Sequence, residues 1–272
     1  MAIHENILQL SKIFRLDISH AVYENIDLKG RNKLPANRIY LIQDVNSPGG
    51  SYIANHSVTP VQKLQLSPGY IYFIPKDQAL EYCFYPGLRV IAFHFNIEVF
   101  PGIDLFDDDS LFKKKPASRG LIEQIIELWE DKDNLGNTVV LYGLIYSILG
   151  MFSDKTLKQL EKQRINMQPF ESLIQYMEEN GNAQTTVAVL AEFYNLPQDT
   201  LSKRFIRTSG ISLKTYLTRL LLRKASQELL FTDLKVREVS KKLNFSSEYY
   251  FCRFFKKHTG MSPNSYRQFI LK

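Results

Sequence analysis

The chain has 272 residues, with 34 Lys and Arg against 28 Asp and Glu, a net charge of +6 and 44% hydrophobic residues. That hydrophobic share builds packed cores and excludes a wholly disordered chain, and the length suits about two domains at roughly 100 to 200 residues each. The charge is uneven: residues 197–272 carry 16 Lys or Arg and only 5 Asp or Glu, so a basic C-terminal region follows a mildly acidic body.

The first residues, Met1-Ala2-Ile3-His4-Glu5-Asn6, lack the basic flank and apolar core of a secretion signal. No apolar run is expected to reach the roughly 18 residues of a membrane span, so a soluble, cytoplasmic protein without membrane contact is expected. Cys83 and Cys252 form neither a CxxC pair nor a disulfide framework and read as two reduced, structurally ordinary thiols.

From about Asp17 to Glu98 the sequence predicts short strands: 38–43, 51–54, 61–66, 70–74 and 88–95 are rich in β-branched and aromatic residues. Pro48-Gly49-Gly50, Ser67-Pro68-Gly69 and Tyr85-Pro86-Gly87 punctuate them, as in an antiparallel sandwich or small barrel. After Pro116 the period changes. Leu121, Ile122, Ile125, Ile126 and Trp129 recur at helical spacing, and 138–152 forms a second, more continuously apolar helix that must bury against the sheet, the first helix or a second subunit. Residues 153–168 are polar and read as a linker; beyond Pro169 the periodicity is helical throughout.

The C-terminal part repeats itself. Phe205-Ile206-Arg207-Thr208-Ser209-Gly210-Ile211-Ser212 with Tyr216 recurs 50 positions later as Phe255-Lys256-Lys257-His258-Thr259-Gly260-Met261-Ser262 with Tyr266. Upstream, Val187, Leu190, Ala191, Asn195 and Leu196 match Val236, Val239, Ser240, Asn244 and Phe245 at an offset of 49. Each unit reads as a short helix, a turn holding an Asn that tolerates left-handed backbone, and a second helix: helix-turn-helix geometry, in which the second helix enters the DNA major groove.

Advancing about 100° per residue from Phe251, Phe254 and Phe255 face inward while Tyr249, Arg253, Lys256 and Lys257 face outward. In the first unit Leu201 and Phe205 point inward, and Asp199, Lys203 and Arg207 occupy the outward positions equivalent to Tyr249, Arg253 and Lys257. Both helices therefore present cations where Arg or Lys reaches guanine edges or phosphates. Ser202 and Tyr250 lie at the flanks; Tyr250 either touches DNA or packs. Asp199 either accepts from a cytosine amino group or orients Lys203, and the second reading is favoured, because an unpaired carboxylate would face phosphates. The connecting helix, 212–230, would be about 28 Å long, against roughly 34 Å between successive major-groove faces.

These residues, above all Leu243-Asn244-Phe245-Ser246-Ser247-Glu248-Tyr249-Tyr250-Phe251-Cys252-Arg253-Phe254-Phe255-Lys256-Lys257-His258-Thr259-Gly260-Met261-Ser262-Pro263, resemble the AraC/XylS-type bacterial transcription regulators. The resemblance covers 169–268 and departs from the family pattern at Asn244, where Gly is usual, and at Leu221, where Arg is common. It implies an α+β chain in two domains. Residues 1–152 would be a cupin-like antiparallel β-barrel with helices for effector sensing and dimerisation, 153–168 the linker, and 169–272 an all-α DNA-binding domain with two helix-turn-helix units.

The implied partners are a double-stranded DNA operator, a second copy in a homodimer, a small-molecule effector such as a sugar, and RNA polymerase if the protein activates. Tyr40, His56, Tyr72, Tyr82 and His94, on or beside predicted strands, suit a small polar ligand, and equally suit the core or surface of a Tyr-rich sandwich. The alternative for the barrel is a dimerisation scaffold only. A different class, a cupin-type metalloenzyme with a basic interaction tail, finds little support: the five histidines are scattered singly. Asp107-Asp108-Asp109 with Lys113-Lys114-Lys115 reads as a solvated loop, and there is no phosphate-loop or Gly-x-Ser-x-Gly motif. No enzyme activity, cofactor or metal is expected.

Overall fold

A computed structural model describes residues 14–45, 50–100, 102–131 and 133–270. The described residues divide into two compact units: a β-rich unit of residues 17–96 and 106–154, and a helical unit of 155–270 that also takes in 14–16 and 97–105.

The β-rich unit is a half-barrel built on one antiparallel sheet. The strands of the chain are β1 (Arg15–Asn32), β2 (Asn37–Val45), β3 (Tyr52–Asn55), β4 (Gln62–Gln65), β5 (Tyr70–Ile74), β6 (Leu80–Phe100), β7 (Ile103–Asp104) and β8 (Lys113–Pro116), of which β7 and the end of β6 belong to the helical unit. The order is β4-β3-β6-β2-β5-β8, with β1 and β7 also paired to β6. Alternation along the strands sorts side chains into two layers. Tyr40, Ile42, Tyr72, Ile74, Tyr82, Phe84, Val90 and Ala92 form the inner core, while Phe73 and Phe93 of the other face meet the helices.

β6 and β1 differ from expectation. β6 runs for 21 residues straight through Tyr85-Pro86-Gly87, which reads as a turn in sequence. The register explains it: residues 80–83 pair with β3 and 88–95 with β2, so Pro86, with no N–H to donate, and Gly87, at φ 89°, sit where β6 changes partner. β1 goes unmarked by the sequence because charged residues interrupt its alternation; only Val22 and Ile26 pack on the inner core. Gly69, at φ 76°, closes the expected Ser67-Pro68-Gly69 turn. Pro48 and Gly49 lie outside the described residues, as do the first thirteen.

The Asp/Lys segment is solvated only in part: Asp108, Lys114 and Lys115 are exposed, while Asp107, Asp109 and Lys113 are half-buried. Asp107 forms a largely shielded ion pair with Lys76 at 3.0 Å, Lys113 reaches Asp109 at 3.0 Å and the Phe152 carbonyl at 3.2 Å, and 113–116 pair with β5.

Helix α1 (Arg119–Glu130) is capped by Ser118, and α2 (Leu135–Phe152) by Asn134. Trp129 meets Phe93 edge-on at 6.1 Å and Phe152 stacks on Phe73 at 5.4 Å, fixing both helices to the sheet. α2 corrects the expectation about apolar runs: its 18 residues contain no charge, and by length and composition it is long and apolar enough to cross a membrane. Ile145, Ile148, Leu149 and Phe152 are buried in the unit, whereas Leu135 (78% exposed) and Val139 (62%) are not.

The helical unit begins with a second correction. Residues expected to be linker form α3 (Leu157–Met167), with a capping box between Thr156 and Gln159 and with Leu160 and Met167 buried. A polar surface made this helix read as linker, since two core contacts in eleven residues leave little periodic signal. Then follow α4 (Glu171–Asn180), α5 (Val187–Phe193), α6 (Gln198–Ser209), α7 (Leu213–Phe231), α8 (Val236–Lys242), α9 (Glu248–Thr259) and α10 (Pro263–Ile270).

The β6–β7 hairpin, residues 97–105, belongs to this unit. Glu98 and Glu178 of α4 both pair with Arg223 of α7, and a Cβ on Gly102 (φ 73°) would stand 2.2 Å from the Tyr216 ring. Burial works against the Arg223 charge, but the two carboxylates outweigh it and hold the guanidinium more firmly protonated than usual.

Candidate nucleic-acid interface and half-barrel inner face

The repeated units close in the same way, down to single atoms. Asn195 (φ 51°) and Asn244 (φ 57°) occupy equivalent left-handed turns, and Gly210 and Gly260, both at φ 79°, terminate α6 and α9. The Ser209 hydroxyl donates to the carbonyl of Phe205 at 2.8 Å and the Thr259 hydroxyl to that of Phe255 at 2.8 Å. Each hydroxyl also accepts from a backbone N–H two residues on, that of Ile211 or Met261, at 3.2 Å.

Beneath α6 and α9 lie separate aromatic cores. Phe205 meets Phe170 at 5.3 Å and Tyr216 at 5.7 Å; Phe255 meets Phe251 at 5.8 Å and Tyr266 at 5.1 Å. With Leu201, Phe205, Phe251 and Phe255 fully buried, the opposite sides of α6 and α9 are forced outward. Asp199, Lys203, Arg207, Tyr249, Tyr250, Arg253, Lys256 and Lys257 are all exposed, and Ser202 is half-buried at the flank. Tyr249 is 70% and Tyr250 61% exposed, so neither packs in the core.

Among the described residues, no carboxylate lies within ion-pair distance of Lys203, Arg207, Arg253, Lys256 or Lys257. This includes Asp199, which forms no ion pair with Lys203 as the favoured reading required. It sits instead in the first turn of α6, where the helix dipole favours an anion. The sequence reading passed over Arg204, exposed beside Lys203; its repeat partner is Phe254, so the matching of the two helices gave no cue.

In the β-rich unit, four of the five candidate ligand residues share the inner face and one does not. Tyr40, Tyr72, Tyr82 and His94 are buried there. His56 lies at the sheet's outer edge, its Nε2 2.9 Å from Glu81, whose carboxylate also takes Arg31 and the Tyr52 hydroxyl. Glu81 follows Leu80 and precedes Tyr82, both inward, so alternation turns it and its partners outward. The Tyr72 hydroxyl is already committed, donating to the Gln65 carbonyl at 2.8 Å and accepting from Ser67 N–H at 2.9 Å.

The inner face adds residues the sequence reading missed. Arg38, only 2% exposed, stands opposite His94 in the β2–β6 register and on the same face as Tyr40. His20 of β1 lies 4.9 Å from His94, ring to ring, and Asn32 is buried nearby, bonding Tyr82. Burial, then the charges of Arg38 and His20, hold His94 well below the usual histidine range, so it is neutral near pH 7. Burial likewise raises Tyr40 and Tyr82 and keeps both phenols protonated. Period-two alternation over Arg38, Tyr40 and Ile42 was the signal available for Arg38. Among the described residues, no group of three His, Cys, Asp or Glu is placed to hold a metal ion. Cys83 is buried and Cys252 half-buried, both as free thiols.

Residues 190–268 match the family model described as a helix-turn-helix domain. The raffinose operon transcriptional regulatory protein RafR of Pediococcus pentosaceus is 25% identical over 273 aligned residues, which span 92% of this chain and 91% of RafR. The uncharacterized HTH-type transcriptional regulator YijO of Escherichia coli strain K12 is 30% identical over 125 residues, so the chain spans under half of that relative's length, 44%, and 46% of its own is matched. Among solved structures, unsaturated fatty acid bound ToxT of Vibrio cholerae strain SCE256 shares the fold, with a TM-score of 0.54 at 10% identity over 94% of this chain and 95% of ToxT. Residues 190–268 therefore carry a helix-turn-helix domain, as the repeat implied, and the relative matched over most of this chain is a transcriptional regulatory protein.

Proposed function

We propose that the chain reads a bipartite operator with α6 and α9 in successive major-groove segments, as a homodimer in the cytoplasm, under control of a small polar effector held on the inner face of the half-barrel. The observation that carries the DNA reading is the matched pair of outward faces, Lys203 with Arg207 and Arg253 with Lys257, free of acidic partners among the described residues. Arg253, Lys203 and Tyr249 contact base edges; Arg207, Lys256 and Lys257 hold phosphates; Ser202, Tyr250 and Asp199 flank them. α7, at 19 residues, is about 28 Å long, short of the roughly 34 Å between groove segments by an amount the flanking turns supply.

The effector reading rests on Arg38, Tyr40, Tyr82, His94, His20 and Asn32, which combine aromatic faces with fixed donors and acceptors on one buried surface, as a saccharide requires. RafR, a relative along nearly its full length, is named for a raffinose operon, which favours the same ligand class. Dimerisation is assigned to α2, whose exposed Leu135, Val139, Tyr142 and Tyr146 are spaced four, three and four residues apart, the seam spacing of paired helices. RNA polymerase is the further partner if the regulator activates.

The test is selection of bound sites from a random DNA pool, followed by anisotropy titrations with and without raffinose and a panel of mono- and oligosaccharides. A saccharide that changes operator affinity, with the change lost in Tyr82→Phe and Arg38→Met proteins, supports the effector reading. If no saccharide shifts either operator affinity or barrel melting, that part is wrong.

A further inference from the structure

The first helix-turn-helix unit grips the turn of the second. Ala183 N–H donates to the Leu243 carbonyl at 2.9 Å, and Gln184 Nε2 donates to the Asn244 carbonyl at 3.0 Å. The two acceptors are consecutive carbonyls of the left-handed turn that sets α9 against α8.

The donor segment is itself stiff. Asn182 Oδ1 accepts from Gln184 N–H at 2.9 Å, and Asn182 N–H donates to the Thr185 hydroxyl at 3.0 Å. Lys224 Nζ, from α7, ties the Gly181 carbonyl at 2.9 Å.

Among the described residues these hydrogen bonds join the two units beside α7, the helix that connects them and packs in both. The aromatic core around Phe205 and that around Phe255 are separate, and between them lies an open cleft of about 470 Å³, floored by Leu217 and Leu221 of α7 and walled by Phe245 and Phe254. Across this cleft, where side chains do not interlock, the two directed hydrogen bonds add to α7 in setting the angle between the units.

We propose that Gln184, with the Ala183 N–H beside it, is a positioning residue that fixes the separation of α6 and α9 and so the spacing of operator half-sites the protein accepts. This rests on the bipartite reading of DNA proposed above. Inserting one base pair between half-sites moves one of them by about 3.4 Å and about 35° around the duplex axis. Hydrogen bonds hold only over donor–acceptor distances of about 2.7–3.2 Å, so the clamp cannot follow such a move and must open. Opening it is the cost that rejects the wrong spacing.

The experiment uses the full chain and its selected operator with the spacer at its optimum, one base pair shorter and one longer, by fluorescence anisotropy at fixed salt. The unaltered protein should bind the off-length operators at least tenfold more weakly. Gln184→Ala, and Gln184→Glu, which keeps the length but replaces the donor with a carboxylate facing a carbonyl, should reduce that ratio to about threefold or less while optimum binding changes under threefold. Partial unfolding lowers the active fraction for all three operators alike and leaves the ratio unchanged, so the ratio reports spacing and not stability. Unchanged ratios in both variants, or specific binding by the unaltered protein with no spacing preference, overturn the clamp alone. Absence of any sequence-specific binding overturns the bipartite reading and the clamp with it.

Discussion

Lys203→Ala and Arg253→Ala, made singly and together, probe the duplicated interface most sharply. Both side chains are exposed, and among the described residues neither is held by a carboxylate, so truncation removes little from the free protein and the loss falls on the complex. A contact to a base edge is worth about 1 to 3 kcal/mol, which is about 5- to 150-fold in affinity. Because α6 and α9 belong to separate units, the two losses should add within about 0.5 kcal/mol, as for distant sites. Anisotropy with operators carrying every single base-pair change should show each variant relaxing specificity at its own position, the two about one helical turn apart. Loss spread evenly over all sequences would assign both side chains to phosphates, and relaxation at one shared position would refute the placement of two helices in two groove segments.

Further outcomes follow from the same geometry. Lys256→Ala and Lys257→Ala should each weaken binding to all sequences alike and reduce the salt slope of log affinity by about 0.9. Gly102→Ala should cost the helical unit about 2 to 5 kcal/mol, from the left-handed backbone and the collision with Tyr216; denaturant unfolding followed by far-ultraviolet circular dichroism that is unchanged would contradict this. His94 titrates below its unfolded value, so the unfolded chain takes up a proton first as pH falls; barrel stability should be full above about pH 6.5 and decline below it. Fluorescence of Trp129, the single tryptophan, follows that unfolding, and His94→Gln should flatten the acid limb. Val139→Lys on α2 should convert dimer to monomer in sedimentation equilibrium without lowering the barrel's unfolding midpoint, since the side chain is exposed.

The helical unit was readable because its function is written twice. Val187 to Tyr216 and Val236 to Tyr266 impose one geometry on two stretches, so burial of Phe205 and Phe255 dictates both outward faces, and the left-handed Asn195 and Asn244 follow from the turn chemistry. The barrel was half readable. Runs of β-branched and aromatic residues marked β2 and β5, but β6 changes partner at Pro86-Gly87, and the end of a ladder looks in sequence like the end of a strand. The inner-face cluster depended on that pairing: Arg38 and His94 are neighbours only through a register that no local pattern encodes. His56 was grouped with them by residue type, and strand alternation puts its partner Glu81 on the other face. The grip of Gln184 on the Asn244 turn joins positions sixty residues apart and leaves no periodic trace.

By this geometry the chain should recognise DNA by sequence through two groove-reading helices. The measurement that tests it most directly is the affinity of the full chain for its selected operator and for random duplex, by anisotropy over a series of salt concentrations, with protection of the operator mapped at base resolution. Operator binding should be at least about 10³-fold tighter than random DNA, with a steep salt slope and, for each bound subunit, two protected segments about one helical turn apart. Equal affinity for both duplexes with a shallow slope, or a single protected segment, would contradict it.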